Sequence, residues 1–271
     1  MRYNISMSVF KKAYQLVVGG LRYDPTVFLL FCLSFIRPTQ PTKVNELTNT
    51  ELIKAIGRGR SVIRFGDGEA LLLTGRDISF QPTSKELDKG LRIILRNYSD
   101  GAPYILGIPT NKLVDTEQAL KAAGTLRIWR LYRVLFSKRF KKKPAYCPLT
   151  YFYTQNTFEN DVMPLIKNRH IIWVSKEENY DKNLTDYFSQ NAEQVTYINT
   201  PATNAFQMYE EIKAEVLVAT HRHQLRPIIL LAAGPATKVL AYELCKAGIQ
   251  CLDVGQGVRV IAHSEDRADK I

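Results

Sequence analysis

Arg226-Pro-Ile-Ile-Leu-Leu-Ala-Ala233, followed by Gly234-Pro-Ala-Thr237, the stretch Lys238 to Lys246, Gly248 and Ile249-Gln-Cys-Leu-Asp-Val254, decides the fold class. The first run is apolar at every position from Ile228 onward, the pattern of a strand covered on both faces. Pro235 suits the first turn of a helix and Gly248 its end, so the segment reads as strand, helix, strand. Upstream, Tyr104 to Ile108, His170-Ile-Ile-Trp-Val174 and Gln194-Val-Thr-Tyr-Ile198 read as further strands. Ser84 to Leu95 carries Leu87, Leu91, Ile94 and Leu95 at helical spacing. Strands alternating with helices predict an α/β protein with a Rossmann-like, mostly parallel sheet flanked by helices.

Composition is compatible with that fold. The chain has 271 residues, 45% hydrophobic and 23% charged, which suits a globular protein of one large domain or two small ones with a substantial core. Its formal net charge of +11 should attract polyanions such as nucleotide diphosphates, nucleic acid or anionic lipid. Arg127, Trp129, Arg130, Tyr132 and Arg133 lead into the basic run Lys138 to Lys143, but no nucleic-acid recognition module accompanies them. Trp129, Leu131, Val134 and Leu135 are therefore expected as the buried stripe of a helix, and no specific nucleic-acid partner is expected. Cys32, Cys147, Cys245 and Cys251 lack the clustering of a zinc site and read as buried thiols of a cytoplasmic protein.

Residues 1–40 stand apart from the main domain, 41–271. Thr26 to Ile36 is a continuous apolar run, shorter than the roughly 20 residues a crossing helix needs, and no convincing signal-peptide cleavage site follows. Two readings stay open: an interfacial segment at the inner membrane face, with Val9, Phe10, Tyr14, Leu16 and Val17 as a partly amphipathic approach, or a helix packed on the domain or on a second subunit. Residues 38–50 are polar with two prolines and form a connector, after which Thr50 is expected to cap a helix from Glu51 to Ile56.

Chemistry is expected at the ends of the strands. In Ser61-Val-Ile-Arg-Phe-Gly-Asp-Gly-Glu69 a short strand ends in two carboxylates. On an extended backbone Asp67 and Glu69 would point the same way and converge on one cation, with Gly66 and Gly68 letting the chain bend towards a ligand. Hard oxygens suit Mg²⁺ or Mn²⁺, although turn preference explains the same residues. Gly234 permits close backbone approach, Pro235 opens a helix whose free amides favour phosphate, and Thr237 offers a hydroxyl. Thr203 and Asn204 can cap a helix from Gln207 or meet a ligand. Asp253, ending the last strand, can join a metal, orient a sugar hydroxyl or fix a turn. No serine elbow, P-loop or histidine constellation occurs; His221 and His223 read as surface or phosphate-facing.

Arg64-Phe-Gly-Asp-Gly-Glu69 with Gly75, Ile78, Phe80 and Gln81 resembles the opening motif of the bacterial glycosyltransferases of GT-D fold. The likeness continues through Pro201 and Asn204-Ala-Phe206, Gly234-Pro-Ala-Thr237 with Leu240-Ala-Tyr-Glu-Leu244, Gly248 and Asp253-Val-Gly255, over about residues 50 to 256. It implies a metal-dependent hexosyltransferase of surface-polysaccharide or glycoprotein biosynthesis. Asp67 and Glu69 would hold Mn²⁺ or Mg²⁺ on the diphosphate of a nucleotide sugar, a UDP-sugar, and Arg64 would meet phosphate. A hydroxyl of a glycan, glycoprotein or lipid-linked saccharide would accept the sugar, with Glu159, Asp161 and Asp253 as candidate bases. The sequence departs from the family pattern at Thr150-Tyr-Phe-Tyr153, where an arginine is expected at the second position, and after Gly255. The competing readings are a metal-dependent phosphohydrolase or nucleotidyltransferase, and a non-catalytic basic protein bound to membrane or nucleic acid.

Overall fold

Continuous apolar runs become the buried strands of one parallel sheet in the computed structural model, which describes residues 25–176, 182–222 and 226–257. The strands are β1 (Ser61–Arg64), β2 (Tyr104–Ile108), β3 (Cys147–Pro148), β4 (His170–Lys176), β5 (Gln194–Thr200), β6 (Ile228–Ala232) and β7 (Cys251–Asp253). They lie in the order β3-β2-β1-β7-β6-β4-β5, every pairing parallel, so all carboxyl ends share one edge. β1 and β7 are neighbours although they open and close the sheet in the sequence. β6 connects towards β7 and its neighbour β4 connects the other way to β5, so the switch point lies between β6 and β4, on the same carboxyl edge of the sheet.

Period-two alternation of apolar residues serves both faces of the sheet. Ile63, Leu106, Ile172, Val174, Ile229 and Leu231 point into one core. Val62, Ile105, Ile171, Trp173, Ile228 and Leu230 point into the other. The first core is closed by α1 (Pro25–Leu33), α4 (Lys85–Asn97), α5 (Leu126–Arg139), α6 (Tyr209–His221) and α7 (Ala236–Lys246). The second is closed by α2 (Asn49–Gly57) and the helical turns between Tyr151 and Ile166. Trp129, Leu131, Val134 and Leu135 of α5 are buried as their spacing predicts.

α1 packs against α5 and buries Val27, Phe28 and Phe31, while Leu29, Leu33, Phe35 and Ile36 stay exposed. The proposed approach from Val9 to Val17 lies outside the described residues, as do His223, His263 and the chain from residue 258 on. Among the described residues, no helix is long and apolar enough to cross a membrane.

Three local expectations are corrected. The cap of α2 is Thr48, not Thr50: its hydroxyl accepts the amide of Glu51, whose carboxylate accepts the amide of Thr48 in return. Cys32 is exposed; the other three cysteines are buried and unpaired, as expected. Asp67 does not continue a strand but opens a short helix, α3 (Asp67–Leu72).

Candidate active site

The helical start of α3 removes the alignment that an extended chain would have given the two acids, although both still line one pocket. Glu69 is buried and turns inward, its Oε2 accepting the amide of Gly66 at 2.8 Å, the reciprocal half of a capping box. Asp67 stays exposed at the mouth of the site, where only its Oδ1 has a partner among the described residues, the amide of Gly68 at 2.9 Å. Neither Gly66 nor Gly68 adopts a positive φ; the chain passes from β1 into α3 across Gly66 with both glycines in ordinary backbone conformations.

A buried ion network lies beneath. Asp253 is fully buried at the end of β7; its Oδ2 accepts the amide of Arg64 at 3.0 Å and lies 2.9 Å from Lys238 Nζ. Lys238, in the first turn of α7, also approaches Glu69 Oε1 at 3.8 Å. The Arg64 guanidinium donates to the carbonyl of Leu149 at 3.2 Å, meets Asp253 Oδ1 at 3.5 Å and lies 4.8 Å from the ring centroid of Tyr153. Two buried carboxylates thus face two buried cations. Burial pulls both acids towards neutrality; at Asp253 the Lys238 and Arg64 charges outweigh it and the pKa falls below the usual aspartate range. At Glu69 burial prevails over Lys238 and the Gly66 amide, and the pKa is raised.

Above this network opens a pocket of about 700 Å³, within the range of small-ligand sites. Arg64, Glu69 and Lys238 line its buried floor and Asp67 its exposed mouth, with Phe80, Ile128 and Trp129 among the apolar wall residues. Lys176, Pro201, Ala232 and Gly255 bring in the carboxyl ends of β4, β5, β6 and β7. Among the described residues, the buried Arg64 Nε and Trp129 Nε1 have no hydrogen-bond partner. Gly234 has φ +70 and a side chain there would press on Phe80, whose Cε2 lies 2.9 Å from the ideal Cβ position.

Several sequence candidates serve the pocket from outside. Asn204, in left-handed conformation, makes no cap; its amide donates to the Phe80 carbonyl at 2.7 Å and its Oδ1 accepts from Gln81 Nε2 at 3.0 Å. It therefore braces the loop that carries Phe80. Thr237 is buried with its hydroxyl donated to the Gly234 carbonyl at 2.7 Å, and Pro235 is buried too. The amides of Thr237 and Lys238 are not free for phosphate, since they close turns onto Gly234 and Pro235. Glu159 and Asp161 do not line the pocket, and Asp161 accepts the Tyr151 hydroxyl at 3.1 Å. His221 is exposed at the end of α6, away from the pocket. Lys238 carried no local signal and Tyr153 stood out only within Thr150-Tyr-Phe-Tyr153, because their partners come from other elements.

A divalent ion can be tested against this donor set. Among the described residues, no group of three or more His, Cys, Asp or Glu side chains gathers to hold a metal. Among the described residues, Asp67 offers an oxygen without a hydrogen bond and Glu69 Oε1 is approached by Lys238 at 3.8 Å. Two carboxylates fit the mode in which Mg²⁺ or Mn²⁺ takes its remaining oxygens from phosphate and water.

Fold and pocket define the class: an α/β protein with a parallel sheet and an open pocket along the carboxyl edge of its strands. The chain belongs to the glycosyltransferase GT-D fold family, whose profile matches residues 62–259. It is similar to "Glycosyltransferase GlyD" of Streptococcus pneumoniae, 26% identical over 74% of this chain and 25% of that protein. It is also similar to "Probable glycosyl transferase Gly" of Streptococcus gordonii, 28% identical over 73% of this chain and 30% of that one. The chain thus spans less than a third of either relative. Among solved structures, "A New Glycosyltransferase (DUF1792) from Streptococcus sanguinis" superposes with TM-score 0.65 at 23% identity, covering 79% of this chain and 82% of that chain. The structure described as "The highly conserved domain of unknown function 1792 has a distinct glycosyltransferase fold" superposes with TM-score 0.65 at 25% identity, over 79% and 78% of the two chains.

Proposed function

We propose that this chain transfers a glycosyl group from a UDP-sugar to a hydroxyl of a glycan, glycoprotein or lipid-linked saccharide, with Mn²⁺ or Mg²⁺ held by Asp67 and Glu69. The observation that carries the reading is the convergence, on one pocket at the β1 and β7 carboxyl ends, of the exposed Asp67 carboxylate with the buried cations Arg64 and Lys238. Membership of the GT-D family supports it. As the bond from the anomeric carbon to the phosphate breaks, negative charge grows on the leaving diphosphate. A bound divalent ion supplies Lewis-acid stabilisation of that charge. Arg64 and Lys238 add fixed positive charge, held in place before the reaction by Asp253, so little reorganisation is needed as the charge develops. Phe80, Ile128 and Trp129 offer an apolar wall that limits water near the breaking bond. Asp253, being wholly buried, acts by positioning both cations rather than by touching the acceptor.

The reading includes a cytoplasmic location with peripheral contact at the inner membrane face. The exposed Leu29, Leu33, Phe35 and Ile36, next to Arg37 and Arg127, support that contact.

The test measures UDP release and sugar transfer from a panel of UDP-sugars, with parallel thermal unfolding with and without Mn²⁺. Asp67→Asn is expected to lower transfer about 10²–10³-fold with little change in stability, since it removes a charge aimed at the leaving group. Glu69→Gln should lower both. Unimpaired transfer by the double variant, or stabilisation by UDP that ignores manganese, would overturn the proposal. A phosphohydrolase would release phosphate with no acceptor dependence. A basic scaffold would lose function on Lys141, Lys142 and Lys143→Ala instead.

A further inference from the structure

Lys238 occupies a place that its helix does not favour. A lysine in the first turn of α7 stands at the positive end of the helix dipole, and its ammonium is buried, with 6% of the residue exposed. Both costs are met by carboxylates from other elements, Asp253 Oδ2 at 2.9 Å and Glu69 Oε1 at 3.8 Å. The second contact matters most for metal binding. Glu69 Oε2 is already engaged by the Gly66 amide, so Oε1 is the oxygen left to join Asp67 on an ion. An ion bound there at a normal distance of about 2.1 Å would sit within a few ångströms of the ammonium, like charge against like.

We infer that Lys238 is a built-in counter-ion that keeps Glu69 from a free divalent ion, and that it yields when a nucleotide diphosphate gives the ammonium phosphate oxygens of its own. Metal binding is then conditional on nucleotide, and by linkage the metal strengthens nucleotide binding by the same factor. The inference rests on the proposed pairing of Asp67 with Glu69 at the metal.

Manganese electron paramagnetic resonance on the purified full chain, with no nucleotide present, reads the effect directly. Lys238→Met is expected to bind Mn²⁺ at least tenfold more tightly than the wild-type chain, and Lys238→Gln should do likewise. Removal of a merely structural lysine would not raise metal affinity. A folded variant, verified by near-ultraviolet circular dichroism, that binds Mn²⁺ no better than wild type overturns the inference. Should neither variant fold, wild-type crystals soaked in Mn²⁺ alone decide. The expected result is Lys238 Nζ still within 4 Å of Glu69 and no ion on that acid, whereas an ion bridging Asp67 and Glu69 without nucleotide refutes the idea. UDP binding is titrated separately. A chain that ignores UDP sinks the donor reading, while the manganese-only measurements still judge Lys238.

Discussion

Arg64 reaches the pocket floor only because residue 255 has no side chain. A Cβ on Gly255 would collide with Nη2 of Arg64, and the backbone there has φ +49, a conformation that L side chains rarely adopt. Gly255→Ala should therefore destabilise the fold by about 1–3 kcal/mol through backbone strain and displacement of a buried cation. Urea denaturation gives the stability change, and UDP titration should show weakened binding in the same variant; unchanged values in both would contradict the packing of Arg64 against Gly255. Acidic residues at this scale were legible in the motif, but the division of labour between them was not. Glu69 became a buried capping residue and Asp67 stayed exposed because the chain turns helical one residue after Gly66, which the glycine-rich stretch equally permits as a loop. Lys238 read only as a helical residue, since nothing in Gly234-Pro-Ala-Thr-Lys238 announces partners on α3 and β7.

Among the elements, the connector that precedes α2 is tied down by one acid. Glu117, on the short helix Glu117–Ala122, accepts the amide and hydroxyl of Thr39, both at 2.9 Å, and a two-pronged contact from Arg130 at 2.8 and 2.6 Å. The Arg130 hydrogen bond, aided by Thr39, holds the Glu117 pKa down from 4.5 to about 2. A depressed folded-state pKa means that the stabilisation is complete above pH 4.5 and is lost as the pH falls towards about 2. Glu117→Gln should cost about 1–2 kcal/mol at pH 7, a charge-assisted bond partly open to solvent, with the gap to wild type closing near pH 2. Chemical denaturation across pH checks it, and a gap that widens in acid would contradict the assignment. Helices and strands were mostly legible at this scale. β2 begins and ends where its apolar run does, and α4 follows the spacing of Leu87, Leu91, Ile94 and Leu95, capped by Ser84. The misplaced cap of α2 has a simple cause: Thr48 and Thr50 are both able to cap, and the choice of Thr48 depends on Glu51 reaching back to its amide.

For the whole molecule, stability should concentrate where strands are covered on both sides. Leu230 lies in the middle of β6, between β4 and β7 and fully buried. Leu230→Ala should cost about 2–5 kcal/mol, the transfer free energy plus the cavity left behind, as read by the urea midpoint. A loss below 1 kcal/mol would show that the core collapses around the gap. The sequence by itself determined that the protein is α/β, that its sheet is mostly parallel with a strand buried on both faces, and that its acidic and glycine-rich motifs belong at strand ends. Those features are local: an apolar run, a helical spacing or a turn residue carries its preference wherever the chain places it. Only the tertiary structure decided that β1 lies beside β7, that Asn204 braces the Phe80 loop, and that Lys238 joins Glu69 and Asp253 under one pocket. These pairings bring together residues far apart in the chain, and the burial and charge neutralisation that favour them exist only once the sheet has assembled around them.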